Sequence, residues 1–100
     1  MQVRQGDILF IRQDDKQSVS FETTVEDGIM ARGEATGHTH RLRSGSDNAV
    51  KKAAGLLYLL AVTKAFVDHE EHKTVELEPG LWKVQRQREY RPDGWVQVAD

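Results

Sequence analysis

All four histidines of this 100-residue chain lie in two short segments. His38 and His40 stand in "GEATGHTHRLR", and residues two apart on a strand point to the same face, where two imidazoles can bind one metal ion. His69 and His72 stand in "DHEEHK", and residues three apart are neighbours on a single helical turn or a bent loop. The two spacings together predict one site that contains every histidine of the chain.

We expect this site to bind a divalent transition-metal ion, with Zn, Fe, Ni, Cu and Mn as the candidates. Either all four histidines bind the ion, or three bind it and leave a position for water. Glu70 and Glu71 lie between the second pair and are candidates for a carboxylate ligand, a catalytic general base or a residue that orients a ligand. The alternative is that the histidines are surface loop residues, or core residues bonded to backbone carbonyls.

A second group of polar residues follows a tryptophan near the end of the chain. On a strand, one face of "WKVQRQREY" carries Trp82, Val84, Arg86, Arg88 and Tyr90. Arg86 and Arg88 would suit the phosphate or carboxylate of a small anionic substrate, because a guanidinium group binds either one through two parallel hydrogen bonds. The alternative is an internal salt bridge, for example to Glu34, Glu70 or Glu71.

Turn residues divide the chain into short segments that alternate as strands do, among them "ILFIR", "IMARGEA", "HTHRLR" and "WVQVAD". This pattern predicts a mainly β fold, a small antiparallel β-barrel or sandwich, in one domain over residues 1–100. Helix is expected only at residues 49–61 or in a turn at residues 69–72. "AVKKAAGLLYLLAVTKAFVD" is compatible with a helix that Gly55 interrupts or with two buried strands, and we favour strands.

The segment "TVELEPGLWKVQRQREY" contains two alternating runs around Pro79 and Gly80. Proline presets φ at the second position of a turn, and glycine accepts a positive φ at the third. We therefore predict a hairpin whose two strands pair with each other across this turn.

The composition points to an ordinary globular domain, with 38% hydrophobic and 30% charged residues. The net charge of −2 does not favour a protein that coats nucleic acid through bulk charge, although a local basic patch stays open. There is no cysteine, which excludes thiolate metal sites. The N-terminus lacks the pattern of a signal peptide, and the longest apolar run, "LLYLLAV", is too short to span a membrane. We expect a cytoplasmic protein with no membrane partner.

The blocks "GEATGHTHRL", "HEEH" and "PGLWKVQRQREY" resemble those of a group of small uncharacterised bacterial proteins, and the resemblance covers most of the chain. It implies that the three blocks belong together. The H-x-H pair also resembles, more weakly, the metal-binding strand of cupins, small barrels that hold a metal through histidines. Two departures stand against this second resemblance: Arg32 occupies the place of a cupin glycine, and "RLRS" follows where cupins have a glutamate.

Three functions are compatible with these patterns. The first is a metal-dependent barrel protein, with hydrolytic chemistry at the metal and an arginine-lined site for a small anionic substrate. The second is a metal-free phosphodiesterase or nuclease in which histidines act as general acid and base. The third is a non-enzymatic adaptor or subunit that binds a protein partner and uses its histidines to hold a structural metal or to respond to pH.

Overall fold

The computed structural model describes residues 1–14, 19–33, 36–91 and 94–97, with the backbone alone from residue 88 onward. Within these residues the chain forms twelve β-strands and no helix. The strands are β1 (Gln2–Gln5), β2 (Ile8–Arg12), β3 (Thr23–Val25), β4 (Ile29–Arg32), β5 (Thr39–Leu42), β6 (Ala49–Ala53), β7 (Leu56–Ala61), β8 (Ala65–Asp68), β9 (Val75–Leu77), β10 (Gly80–Arg86), β11 (Arg88–Arg91) and β12 (Gly94–Gln97).

The strands form antiparallel sheets, two of which enclose the core. The first has six strands in the order β1-β2-β10-β7-β6-β3, and the second has four in the order β4-β5-β8-β9. Strands β11 and β12 form a separate pair. Both larger sheets contribute buried apolar side chains, which are Ile8, Phe10, Val50, Leu59, Trp82 and Val84 from the first and Met30, Leu42, Ala65, Val67 and Leu77 from the second.

This arrangement confirms the predicted mainly β, antiparallel fold. Among the described residues the sheets do not close into a barrel, so the fold corresponds to the sandwich-like alternative. Strand side chains alternate between a buried and an exposed face, as in β5, where His40 and Leu42 are buried and Arg41 is exposed. Within the described residues, no helix is long and apolar enough to cross a membrane.

The pairing of β5 with β8 determines where the histidines lie. These strands run antiparallel, with Arg41 opposite Asp68 and Leu42 opposite Val67. The start of β5 therefore lies beside the residues that follow β8. Because one histidine pair is at the start of β5 and the other directly follows β8, the sheet brings both pairs to the same place.

Strands replace the helix considered for residues 49–61. Two of them, β6 and β7, form a hairpin through Ala54 and Gly55, which both have positive φ, at 51° and 77°. Residues 69–72 form a bend between β8 and β9 and not a helical turn. The apolar residues at helical spacing thus lie on two paired strands. These strands are in the interior of the six-stranded sheet, because β7 also pairs with β10 and β6 also pairs with β3.

The predicted hairpin around Pro79 and Gly80 is wrong. Strand β9 pairs with β8 in the second sheet, whereas β10 pairs with β2 and β7 in the first. The turn therefore connects the two sheets. The prediction failed because a local turn signal specifies a change of chain direction but not which strands will pair. The strand predicted to continue through Tyr90 also ends earlier, at Arg86, and Arg88 begins β11.

A glycine is nevertheless needed at position 80, in the turn that connects the two sheets. We predict that Gly80→Val destabilises the protein by about 1 kcal/mol or more. Its φ is +149°, and a Cβ atom there would lie 2.8 Å from Nε of Arg12. Chemical denaturation monitored by circular dichroism measures the loss. Glu78→Val, which places the same side chain at a nearby exposed position, is the control. Equal stability of the two variants would contradict the prediction.

Candidate metal centre

The structure brings the four imidazole rings into one cluster, as the sequence predicted. His69 lies at its centre, with its ring centroid 5.5 Å from that of His38, 4.4 Å from that of His40 and 4.6 Å from that of His72. The rings of His40 and His72 are stacked at 6.4 Å. His40 is completely buried, and the other three rings are half-buried. Their role as metal ligands stays a prediction.

His40 has a fixed orientation, which Gln5 provides. The side-chain amide nitrogen of Gln5 donates hydrogen bonds to the carbonyl oxygens of Val67 and Lys73, each at 2.9 Å. The amide oxygen of Gln5 must therefore face Nδ1 of His40, at 2.8 Å. Since an amide oxygen only accepts, Nδ1 carries the ring proton, and in the neutral imidazole Nε2 keeps its lone pair.

The surroundings of His40 favour this neutral form. Burial, and after it the neighbouring His69, lower the pKa of His40 to about 4. The carboxylate of Asp7 opposes the shift but does not reverse it. Nε2 of His40 makes no hydrogen bond within the described residues. A neutral ring with an available lone pair is the form in which histidine binds metals.

Asp7 lies beside His40, although no sequence pattern marks it as a site residue. It follows Gly6 in the turn between β1 and β2 and is completely buried. Its Oδ1 is 3.3 Å from Nε2 of His40, and its Oδ2 accepts a hydrogen bond from Nε of Arg86 at 2.9 Å. In the sequence, "QGD" indicates only a turn, so no local signal could have placed this carboxylate in the cluster.

The bend that carries the second histidine pair is stabilised by His69 itself. Nδ1 of His69 accepts hydrogen bonds from the backbone N–H groups of Glu71, at 3.0 Å, and His72, at 3.1 Å. This is why residues three apart become neighbours here without a helix. It also means that the neutral ring of His69 carries its proton on Nε2.

The two glutamates of the bend lie on the outer side of the cluster. Glu70 accepts hydrogen bonds from the backbone N–H of Thr39, at 2.9 Å, and from its hydroxyl, at 3.3 Å. The backbone bond from Thr39 is the main reason that the pKa of Glu70 is lowered. Glu71 has Oε1 at 3.6 Å from Nδ1 of His38. One ligand atom each from His38, His69 and Glu70 lie within 4.8 Å of one another, close enough to share an ion.

An open cleft of about 360 Å³ adjoins this outer side. It is lined by Thr39, Arg41, Asp68, His69 and Glu70. Arg41 is exposed and makes no ion pair with the described residues. The cleft is therefore lined by an arginine and by one histidine of the cluster, His69.

The arginines predicted to bind an anion are placed differently. Arg86 donates to Asp7 and to the carbonyl oxygen of Arg32, so its guanidinium is engaged inside the protein. This corresponds to the internal salt bridge considered as an alternative, but with Asp7 as the partner; Glu34, one of the partners suggested, lies outside the described residues. The side chain of Arg88 also lies outside them.

Comparison with known proteins identifies a family but no function. Residues 4–87 match the family model described as a domain of unknown function (DUF8820). No curated protein and no solved structure matches the chain. The match agrees with the expected resemblance to small proteins without an assigned activity. The three shared blocks and the resemblance to cupins stay predictions.

The lowered pKa of His40 predicts that the metal-free protein loses stability on mild acidification. An unfolded histidine titrates near 6.5 and the folded one near 4, so the unfolded state binds more protons between these values. The free energy of unfolding should fall as the pH drops from about 6.5 to about 4, by about 3 kcal/mol from this group. Denaturation curves with a chelator present, at several pH values, measure it.

His40→Gln is the control, because it removes the titrating group and should flatten the pH dependence above pH 4.5. The pKa values of Asp68 and Glu70 are also lowered, mainly through hydrogen bonds from Arg43 and Thr39 respectively. Their contributions are lost only below the ordinary carboxylate pKa, at lower pH. A wild-type stability that does not change between pH 6.5 and 4.5 would show that His40 is not held neutral.

Proposed function

The chain belongs to the DUF8820 family, and we propose from the geometry of its histidine cluster that it binds a divalent transition-metal ion. The observation that carries the proposal is the convergence of four imidazole rings from two segments, with neighbouring centroids 4.4 to 5.5 Å apart around His69. Zn, Fe, Ni, Cu and Mn are the candidates, as the sequence suggested, and a cytoplasmic location is part of the proposal.

Two ring nitrogens support this role. Nδ1 of His38 and Nε2 of His40 are buried and make no hydrogen bond within the described residues. Leaving a buried polar group unsatisfied costs about 1–3 kcal/mol. A metal ion bound to either nitrogen would satisfy its lone pair, and Glu70 and Glu71 would supply negative charge that four neutral imidazoles lack.

Metal binding through His69 would cost more free energy than binding through the other three histidines. Because Nδ1 accepts two hydrogen bonds from the bend, a metal at Nε2 requires the ring proton to leave, or to move to Nδ1 with loss of those bonds. This favours the alternative in which three histidines bind and one coordination position is left for water or substrate.

We further propose hydrolytic chemistry at that open position. A bound metal ion would polarise a substrate oxygen or lower the pKa of a water molecule, with Glu70 or Glu71 as the candidate general base. Arg41, which lines the cleft, takes the role that the sequence suggested for Arg86, and it suits a small anionic substrate.

The two alternative functions have less support. For a metal-free phosphodiesterase, the arginine expected to stabilise the phosphate, Arg86, is engaged with Asp7. Burial also lowers the pKa of His40 to about 4, which makes it a poor general acid or base near neutral pH. A non-enzymatic subunit with a structural metal would use all four histidines and leave no open position. The stoichiometry and the coordination number of the bound metal distinguish the three.

We predict that the protein, freed of metal and then incubated with Zn²⁺, retains one ion per chain and that His38→Ala does not. The ring of His38 is half-buried, and its Nδ1 makes no hydrogen bond within the part of the chain that the structure describes, so its removal should leave the fold intact. A ligand present at 100 times its Kd stabilises the native state by about 2.7 kcal/mol. Elemental analysis and thermal denaturation, each with Zn²⁺ or with EDTA, measure the two effects.

In EDTA, His38→Ala should melt as the wild type does, whereas with Zn²⁺ it should lack the increase in Tm. Gln85→Ala, at an exposed position of β10, is the matched control and should keep both the ion and the increase. Wild-type protein that holds no ion after reconstitution would refute the metal site and leave the metal-free or the adaptor function.

We predict that inorganic phosphate binds to the metal-loaded protein and that Arg41→Gln weakens this binding about tenfold. A hydrogen bond to a charged group contributes about 1.5–3 kcal/mol, which corresponds to a factor of ten or more. Isothermal titration calorimetry measures the affinity, and Lys52→Gln, which removes an exposed charge on β6, is the control. Equal weakening by both variants would show that only net charge matters.

A further inference from the structure

We propose that Asp7 is itself a ligand of the metal, bound through Oδ1 next to Nε2 of His40. This inference rests on the proposed metal site and changes its composition. The site would combine imidazole nitrogens with a buried carboxylate oxygen that the sequence analysis did not include.

Nε2 of His40 and Oδ1 of Asp7 face each other inside the protein. Gln5 places the ring proton of His40 on Nδ1, so Nε2 of the neutral ring presents a lone pair. Oδ1 of Asp7 stands 3.3 Å from it, and both side chains are completely buried. A neutral imidazole nitrogen and a carboxylate oxygen that face each other in the interior repel, and a cation that lies against both relieves this repulsion.

The distance between Nε2 of His40 and Oδ1 of Asp7 can be compared with that between two ligands of one metal ion. Zinc binds histidine nitrogen at about 2.0–2.1 Å and carboxylate oxygen at about 2.0–2.2 Å, so two ligands of a tetrahedral ion lie about 3.3–3.5 Å apart. The observed 3.3 Å between Nε2 of His40 and Oδ1 of Asp7 fits this spacing. Two ligands are therefore already at the separation that one ion requires.

The second carboxylate oxygen of Asp7, Oδ2, has a partner of its own. Oδ2 of Asp7 is held by Arg86, which directs Oδ1 toward the cluster and favours binding through a single oxygen. Metal ligands are commonly oriented by such a second hydrogen bond. Arg86 would thus be a positioning residue that also balances the buried negative charge.

A donor set of this kind narrows the choice of metal. One carboxylate oxygen with imidazole nitrogens in a tetrahedral arrangement suits Zn²⁺, Fe²⁺ and Mn²⁺ better than Cu²⁺ or Ni²⁺, which favour square-planar or tetragonal sites. The carboxylate also neutralises one of the two charges of the ion inside the protein. His40 and Asp7 would form the buried part of the site, and one half-exposed histidine would complete a set of three ligands that leaves the fourth position open.

The test uses the full-length chain loaded with Co²⁺, whose visible absorption spectrum depends on the ligands. Asp7→Asn should weaken Co²⁺ binding at least tenfold and change the spectrum at saturating metal. Arg86→Met should weaken binding by about 10–100-fold but leave the spectrum at saturation unchanged, because the ligands are the same. Asp27→Asn, at an exposed turn, is the control and should bind as the wild type does.

An Asp7→Asn variant with wild-type affinity and spectrum would overturn the inference while leaving the histidine site intact. The inference would also be overturned if Asp7→Asn and Arg86→Met lost the same Co²⁺ affinity and showed the same spectral change. An ion pair that only supports the fold would be disrupted equally by either substitution. Wild-type protein without Co²⁺ uptake would instead refute the proposed function. If Asp7→Asn fails to fold, a crystal structure of the Zn²⁺-loaded wild type decides: an ion about 2.0–2.2 Å from Oδ1 supports the inference, and a Zn²⁺ ion beyond 4 Å overturns it.

Discussion

The side-chain amide of Gln5 determines the geometry of the histidine cluster. Its nitrogen binds the carbonyl oxygens of Val67 and Lys73, which stand on either side of the bend carrying His69 and His72. Its oxygen binds Nδ1 of His40 from the neighbouring strand. One buried amide therefore holds both ends of the bend, orients the histidine of the other pair and places its proton. Because Gln5 belongs to the first sheet and both Val67 and His40 belong to the second, the same bonds also connect the two sheets.

Burial divides the cluster into two parts with different properties. Around His40 and Asp7 the site is dry and rigid, since both side chains are completely buried and each is held by a second partner. Around His69 and Glu70, which line the cleft, the cluster is open to solvent. In the proposed metal site, the buried part would hold the ligands at a fixed spacing, and the open part would admit water or a substrate.

The sequence predicted the strands well, because alternation of apolar and polar residues is a local property of the chain. "ILFIR" forms β2 and "THRL" forms β5, with His40 and Leu42 on the buried face as expected. It predicted pairing poorly at Pro79–Gly80, because the strand partners of β9 and β10 come from elsewhere in the chain. The spacing of the histidines was informative since each pair is local and the two segments flank adjacent strands.

The amino-acid sequence by itself determined the β class, the two histidine pairs and the carboxylates between the second pair. Each of these depends on residues a few positions apart, whose side chains meet through backbone geometry alone. Only the tertiary structure decided that Asp7 joins the cluster, that Arg86 turns inward and that Arg41 faces the cleft. These positions follow from strand pairing and burial between residues as far apart as Asp7 and Arg86, and long-range contacts of this kind leave no periodic pattern in the sequence.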